Sequence, residues 1–175
     1  MRDQYNREIN YVRISITDRC NLRCRYCMPD NFVFLKHEDI MRYEEILSFV
    51  ELLAKIGISA IKITGGEPLV RKGCAGLIKD IKKIPGIDNV TLTTNGVLLT
   101  KHLPDLLAAG LDAVNISLDT LDPVRYQEIT GIDAFAAVWA GMEAAVKAGL
   151  KTKINCVVME ESDAWLEMVS LARET

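Results

Sequence analysis

Histidine is almost missing from this chain, with only 2 in 175 residues. No imidazole lies near the crowded cysteines to complete a ligand set. Net charge is nearly missing too: 21 basic against 24 acidic residues leave −3. No global field therefore draws the chain to nucleic acid or to an anionic membrane surface, and any anionic ligand has to be held by local cations. No uncharged apolar run approaches the ~18 residues that a membrane span requires. The first ten residues are polar and charged and lack the apolar stretch of a secretory leader. Cysteines number 5, an odd count, and three are crowded together, which does not describe a disulfide framework. A reducing cytoplasm fits that usage best. No low-complexity linker divides the sequence, so its length reads as one domain with a real core.

What is present centres on Cys20, Cys24 and Cys27, spaced C-x3-C-x2-C. Three thiolates on one loop can hold a metal centre from one side. Structural zinc asks for four protein ligands, commonly as two separated pairs. Here the run stops at three, and His37 fits no ligand spacing. Cys74 and Cys156 lie far along the chain and read as ordinary thiols. A four-iron cluster normally takes four thiolates. Three would leave one iron open to bind something that is not protein. A structural zinc loop, a simple electron carrier and an open-iron centre all remain readings of these residues alone.

Along the chain, Tyr11 to Ile16 alternates as a strand, with Val12, Ile14 and Ile16 on one face and Tyr11, Arg13 and Ser15 on the other. Tyr43 to Ile56 reads as a helix stopped by Gly57. Strands are expected at Ala60–Thr64, Asn89–Thr94, Ala113–Leu118 and Thr152–Met159. Helices are expected at Ala75–Lys83, Lys101–Ala109 and Phe135–Ala148, with a last one opening at Ser162 or Asp163. Leu121–Gly131 is a connecting segment. Repeated βα units imply an α/β fold with a parallel sheet, either doubly wound or a barrel. The conspicuous polar stretches at 18–27, 65–67, 95–96 and 119 each follow a strand, which is the ligand-binding edge in both architectures. Asn115, Ser117 and Asp119 share one strand face by period two. Arg13, Lys62 and Lys153 sit at phases that point inward from three strands.

These residues also carry a resemblance. C-x3-C-x-Y-C, with Tyr26 before the third cysteine, resembles the signature of radical S-adenosylmethionine (SAM) enzymes. Gly65-Gly66-Glu67-Pro68 resembles the segment of those enzymes that receives the SAM amino group, and the string from Tyr11 to Cys20 with the segment Cys24 to Pro29 is similar, more narrowly, to the GTP 3′,8-cyclases of molybdenum-cofactor biosynthesis. The resemblance implies a parallel (β/α) partial TIM-like barrel, incomplete in this chain: residues 1–10 an N-terminal arm, residues 11–175 a radical SAM core truncated before the barrel is complete. It implies a [4Fe-4S] cluster on Cys20, Cys24 and Cys27 and reductive cleavage of SAM to a 5′-deoxyadenosyl radical. That radical would abstract H3′ of GTP, and the sugar radical would then attack guanine C8. Carried over residue by residue, Tyr26, Gly66 and Ser117 contact SAM, while Arg13, Lys62, Thr93 and Lys153 face GTP. No catalytic side chain is implied beyond the cluster ligands. The implied partners are GTP, an electron donor protein and a missing C-terminal half whose three cysteines hold a second cluster; nucleic acid and membrane are not among them. The alternatives are a radical SAM enzyme with another substrate, such as a peptide, and a non-catalytic metal or iron–sulfur fragment.

Overall fold

The computed structural model describes residues 2–27, 29, 31–159 and 164–174. Five strands form one sheet: β1 (Tyr11–Ser15), β2 (Ala60–Thr64), β3 (Asn89–Thr94), β4 (Ala113–Ser117) and β5 (Lys151–Asn155). Six helices accompany them: α1 (Tyr43–Lys55), α2 (Cys74–Ile81), α3 (Leu99–Ala108), α4 (Pro123–Thr130), α5 (Phe135–Lys147) and α6 (Ala164–Glu174). Every neighbouring strand pair is parallel, and the spatial order is β1-β2-β3-β4-β5. Sequential order decides between the two expected architectures. A doubly wound sheet reverses direction part-way, whereas strands added one after another through crossovers of one hand keep their helices on one side, as in a barrel.

The two faces of the sheet differ accordingly. Ile14, Ile61, Ile63, Val90, Leu92, Val114 and Ile116 project into one core with Ile46 and Val50 of α1, Ile78 and Ile81 of α2, Leu99 and Leu106 of α3 and Val138 of α5. The alternate residues form the other face. There the register sets Arg13 opposite Lys62, Thr93 opposite Asn115, and Asn115 opposite Lys153. A parallel strand covered on both sides is normally apolar throughout. Here the alternation is close to complete in β2 and β3, so only one side is roofed by helices.

Three expectations are corrected. The helix expected from Lys101 starts at Leu99, because Gly96 turns the chain with φ +82° and its carbonyl accepts from Leu99 N–H at 3.0 Å. The last strand ends at Asn155 rather than Met159. Its ladder with β4 stops there because Val157 N–H donates to the Asp119 carboxylate at 2.8 Å instead of to a strand. Leu121–Gly131 contains a helix, α4: the Asp122 carboxylate caps it on Val124 N–H, Pro123 opens it and Gly131 ends it at φ +74°. The proposed cap of the last helix at Ser162 or Asp163 lies outside the described residues. Among the described residues no single helix is long and apolar enough to cross a membrane.

Candidate functional site

The cysteine loop leaves the end of β1 and is braced from two sides. Backbone pairing between the first two strands continues past their ends: Gly66 N–H donates to Thr17 O at 2.6 Å and Glu67 N–H to Arg19 O at 2.7 Å. A Cβ on Gly66 would overlap the Arg19 carbonyl, and one on Gly65 would lie 2.6 Å from Thr17 O. Both glycines are therefore fixed by the close approach of two backbones. On the other side, Arg23 N–H donates to Thr130 O at 2.8 Å and Arg25 N–H to Ile129 O at 3.0 Å, so the end of α4 holds the loop. Leu22, buried, anchors its middle.

Cys20 and Cys24 are half-buried and Cys27 is exposed. Burial, then the charges of Cys20, Cys27 and Asp119, pushes the Cys24 thiol up to about 11. Burial also raises Cys20, against Leu22 N–H, which donates to its sulfur at 3.4 Å. Cys20 and Cys24 thus both feel the charge of Cys27, yet among the described residues no three His, Cys, Asp or Glu side chains converge on a single ion position. Cys74 and Cys156 stay apart from this loop. Burial raises both, Cys74 to about 12, and Cys156 leans on the Asp119 carbonyl at 3.6 Å.

Glu67 is fully buried and is held by three donors: Leu69 N–H at 2.9 Å, the Thr94 hydroxyl at 2.8 Å and Asn95 N–H at 2.7 Å. Burial still raises its carboxyl above the usual range. It orients the loop after β2 against the end of β3. Asp119, also buried, does the same for the cysteine loop. It accepts from the Tyr26 hydroxyl at 2.6 Å and from Val157 N–H, tying Tyr26 to the ends of β4 and β5. Burial first, then that hydrogen bond, raises the Tyr26 phenol and keeps it protonated. A cavity of about 30 Å³ lies between, lined by Cys24, Tyr26, Asn95, Ser117 and Asp119 among others. Tyr126, only 2% exposed, lines it too, and its hydroxyl has no hydrogen-bond partner.

The open face of the sheet leads up to this loop. Burial and the nearby charges of Arg13 and Lys153 hold the Lys62 ammonium below its ordinary value. Among the described residues, none of Arg13, Lys62, Thr93, Asn115, Ser117 and Lys153 has a side-chain hydrogen bond or ion pair to protein. The charges of Arg13 and Lys153 thus reach Lys62 with no carboxylate paired to any of the three, an arrangement that attracts negative charge.

Of the residues picked from sequence, the structure places Cys20, Cys24, Cys27, Tyr26 and Gly66 on two loops in backbone contact. Ser117 joins the cavity, and Arg13, Lys62, Thr93 and Lys153 share the open face. The sequence reading missed Asp119 as the partner of Tyr26, Asn95 as a neighbour of Cys20, and the brace from Ile129 and Thr130. Asp122-Pro123 and Gly131, a cap, an opener and a stop, were the available signal for that brace.

A family model described as the radical SAM superfamily matches residues 14–172. A GTP 3′,8-cyclase of Petrotoga mobilis is 53% identical over 162 residues, which cover 91% of this chain and 50% of that protein. A protein of the same name from Moorella thermoacetica is 51% identical over 178 residues, covering 99% and 55%. Among solved structures, Streptococcus suis SuiB bound to S-adenosylmethionine matches with a TM-score of 0.79 at 23% identity, over 94% of this chain and 38% of its own. The FeFe-hydrogenase maturase HydG matches with a TM-score of 0.78 at 17% identity, again over 94% and 38%. The chain spans about half the length of the curated relatives it matches. The two structures agree with the one-sided parallel winding described above, the partial TIM-like barrel expected from sequence. With its cysteine loop at the strand ends and a family match over nearly its whole length, the chain belongs to the radical SAM superfamily.

Proposed function

We propose that this chain is the cluster-bearing, SAM-binding part of a GTP 3′,8-cyclase, with residues 11–175 as its radical SAM core and residues 1–10 as an arm leading into β1. The observation that carries the reading is the unpaired group of Arg13, Lys62 and Lys153 on the open face of the sheet. A triphosphate brings the negative charge that they lack, and Arg and Lys are its usual ligands. The cyclases of Petrotoga mobilis and Moorella thermoacetica, at 53% and 51% identity, support the same assignment.

The cysteine loop fits an iron–sulfur cluster by its donors: three soft thiols on one loop, with the charge of Cys27 felt at Cys20 and Cys24, and not converged on one point among the described residues. That suits a cube whose irons each take one sulfur. Cys20, Cys24 and Cys27 would hold a [4Fe-4S] cluster, and when bound it would supply the single electron that cleaves SAM. Tyr26, fixed by Asp119, and Gly66 and Ser117 are assigned to SAM. Arg13 and Lys62 with Lys153 neutralise the phosphates, and Thr93 offers a hydroxyl beside them. An electron donor protein, a C-terminal half with a second cluster and a cytoplasmic setting complete the proposal.

The test is thermal protection of the anaerobically reconstituted chain by guanosine, GDP and GTP. Protection rising with phosphate number, and lost in Lys62→Met, is the expected result. A chain that loads about four irons and responds to SAM spectroscopically, yet ignores GTP, would belong to a radical SAM enzyme with another substrate. Zinc in place of iron would return the loop to a structural role.

A further inference from the structure

We propose that Asn95 is a positioning residue for the cluster, its side-chain amide donating an N–H···S hydrogen bond to Cys20 that sets how readily the centre takes an electron. The inference rests on the reading that the three cysteines carry an iron–sulfur cluster. Asn95 Nδ2 lies 3.7 Å from Cys20 Sγ and 2.8 Å from Asn21 Oδ1, one acceptor for each of its two hydrogens. The orientation of the amide is settled by its other end, since Oδ1 accepts from Val97 N–H at 3.1 Å and so cannot face the sulfur. Asn95 is itself fixed, because its backbone N–H is held by the buried Glu67 carboxylate at 2.7 Å. Its side chain therefore reaches from the end of β3 to the cysteine loop with little freedom.

Among the described residues, neither Cys24 nor Cys27 receives a side-chain donor at sulfur; Cys20 alone does, in addition to Leu22 N–H. Hydrogen bonds to cluster sulfurs are one of the levers by which a protein sets a cluster's potential. A one-electron reduction adds negative charge to the centre and its thiolates, and an N–H aimed at one sulfur favours that charged state. Removing the donor lowers the potential. Glu67, Asn95 and Cys20 then form one continuous connection from the loop after β2 to the cluster ligand.

The experiment compares wild type, Asn95→Leu, Asn95→Ser and Asn21→Ala after anaerobic reconstitution, by iron content, circular dichroism and a redox titration followed by EPR. Serine keeps an oxygen able to accept from Val97 N–H but is too short to reach Cys20. Both Asn95 variants are expected to load iron as wild type does. At an ambient potential equal to the wild-type midpoint, their ratio of reduced to oxidised cluster should fall about fivefold, the scale of one net hydrogen bond. Asn21→Ala should stay near the wild-type midpoint. Equal midpoints in all four proteins, an equal shift in Asn21→Ala, or folded Asn95 variants that hold no iron would each overturn the role while leaving the cluster reading intact. A wild-type chain that takes up no iron would remove both.

Discussion

Along β2, Ile61 and Ile63 are fully buried in the helix-covered core, while Lys62 between them faces the open side with two other cations, its ammonium 5.8 Å from the centre of the Tyr11 ring and without a carboxylate partner. The same contrast runs across the sheet, from Ile14 against Arg13 to Ile116 against Asn115 and Ser117. Within a few ångströms of backbone, one face satisfies every requirement of a folded core and the other leaves its polar groups unmatched. The fold's stability is therefore placed on one side, and the proposed ligand chemistry falls on the other. Neighbouring positions in sequence should respond to mutation in opposite ways.

The largest effect is expected from Ile63→Ala. Emptying a fully buried site should cost about 2–5 kcal/mol in denaturant unfolding, whereas Lys62→Ala should stay within about 0.5 kcal/mol. Similar losses at both positions would break the comparison. Next comes Glu67→Gln, which places an amide N–H against the N–H of Asn95 and should cost about 1–3 kcal/mol. Tyr26→Phe removes the hydroxyl donated to Asp119 and should cost about 1 kcal/mol, with a cysteine loop that is cleaved more readily by protease than that of wild type.

Smaller still is the effect of Lys62→Met on the ligand-free chain, and here the sign is opposite. The Lys62 ammonium is held below its ordinary value of 10.5, so just beneath that value the unfolded chain binds more protons than the folded one. Stability contributed by this group should therefore rise with pH through that window. Thermal melts should show Lys62→Met slightly more stable than wild type at pH 7 and lacking this rise. The same variant should lose protection by inorganic triphosphate. Least of all is expected from Tyr126→Phe, which removes a hydroxyl without a partner and should leave ligand-free stability unchanged or slightly higher. A clear loss would mean that the hydroxyl has a partner in solution.

Much of this division was legible in sequence because period-two alternation is a direct record of which face is covered. Val12, Ile14 and Ile16 against Arg13 and Ser15 already separate the two sides. The cysteine spacing and the paired glycines were equally plain, since both depend on residues close together in the chain. What stayed hidden depends on contacts between distant segments. Asp119 could be read as a polar strand end, but not as the acceptor for Tyr26 of the cysteine loop. Asn95 read as part of a polar stretch after a strand, and only the folded structure brings its amide to Cys20. The strand after α5 was read too long because Cys156 to Met159 continue an apolar, β-prone run. The bond from Val157 N–H to Asp119 outweighs that propensity.

The backbone contact between Gly66 and Arg19 also ties the shape of the cysteine loop to a pairing of strands far apart in the chain. It exists only once β1 and β2 have paired in parallel, and that pairing must wait for the long crossover through α1 to close. Until then the thiols sit on a strand end with no defined shape. A zinc finger takes its form from the ion it captures. Here the shape of the thiol loop is drawn from strand pairing, so the chain by itself supplies the socket for what its thiols hold.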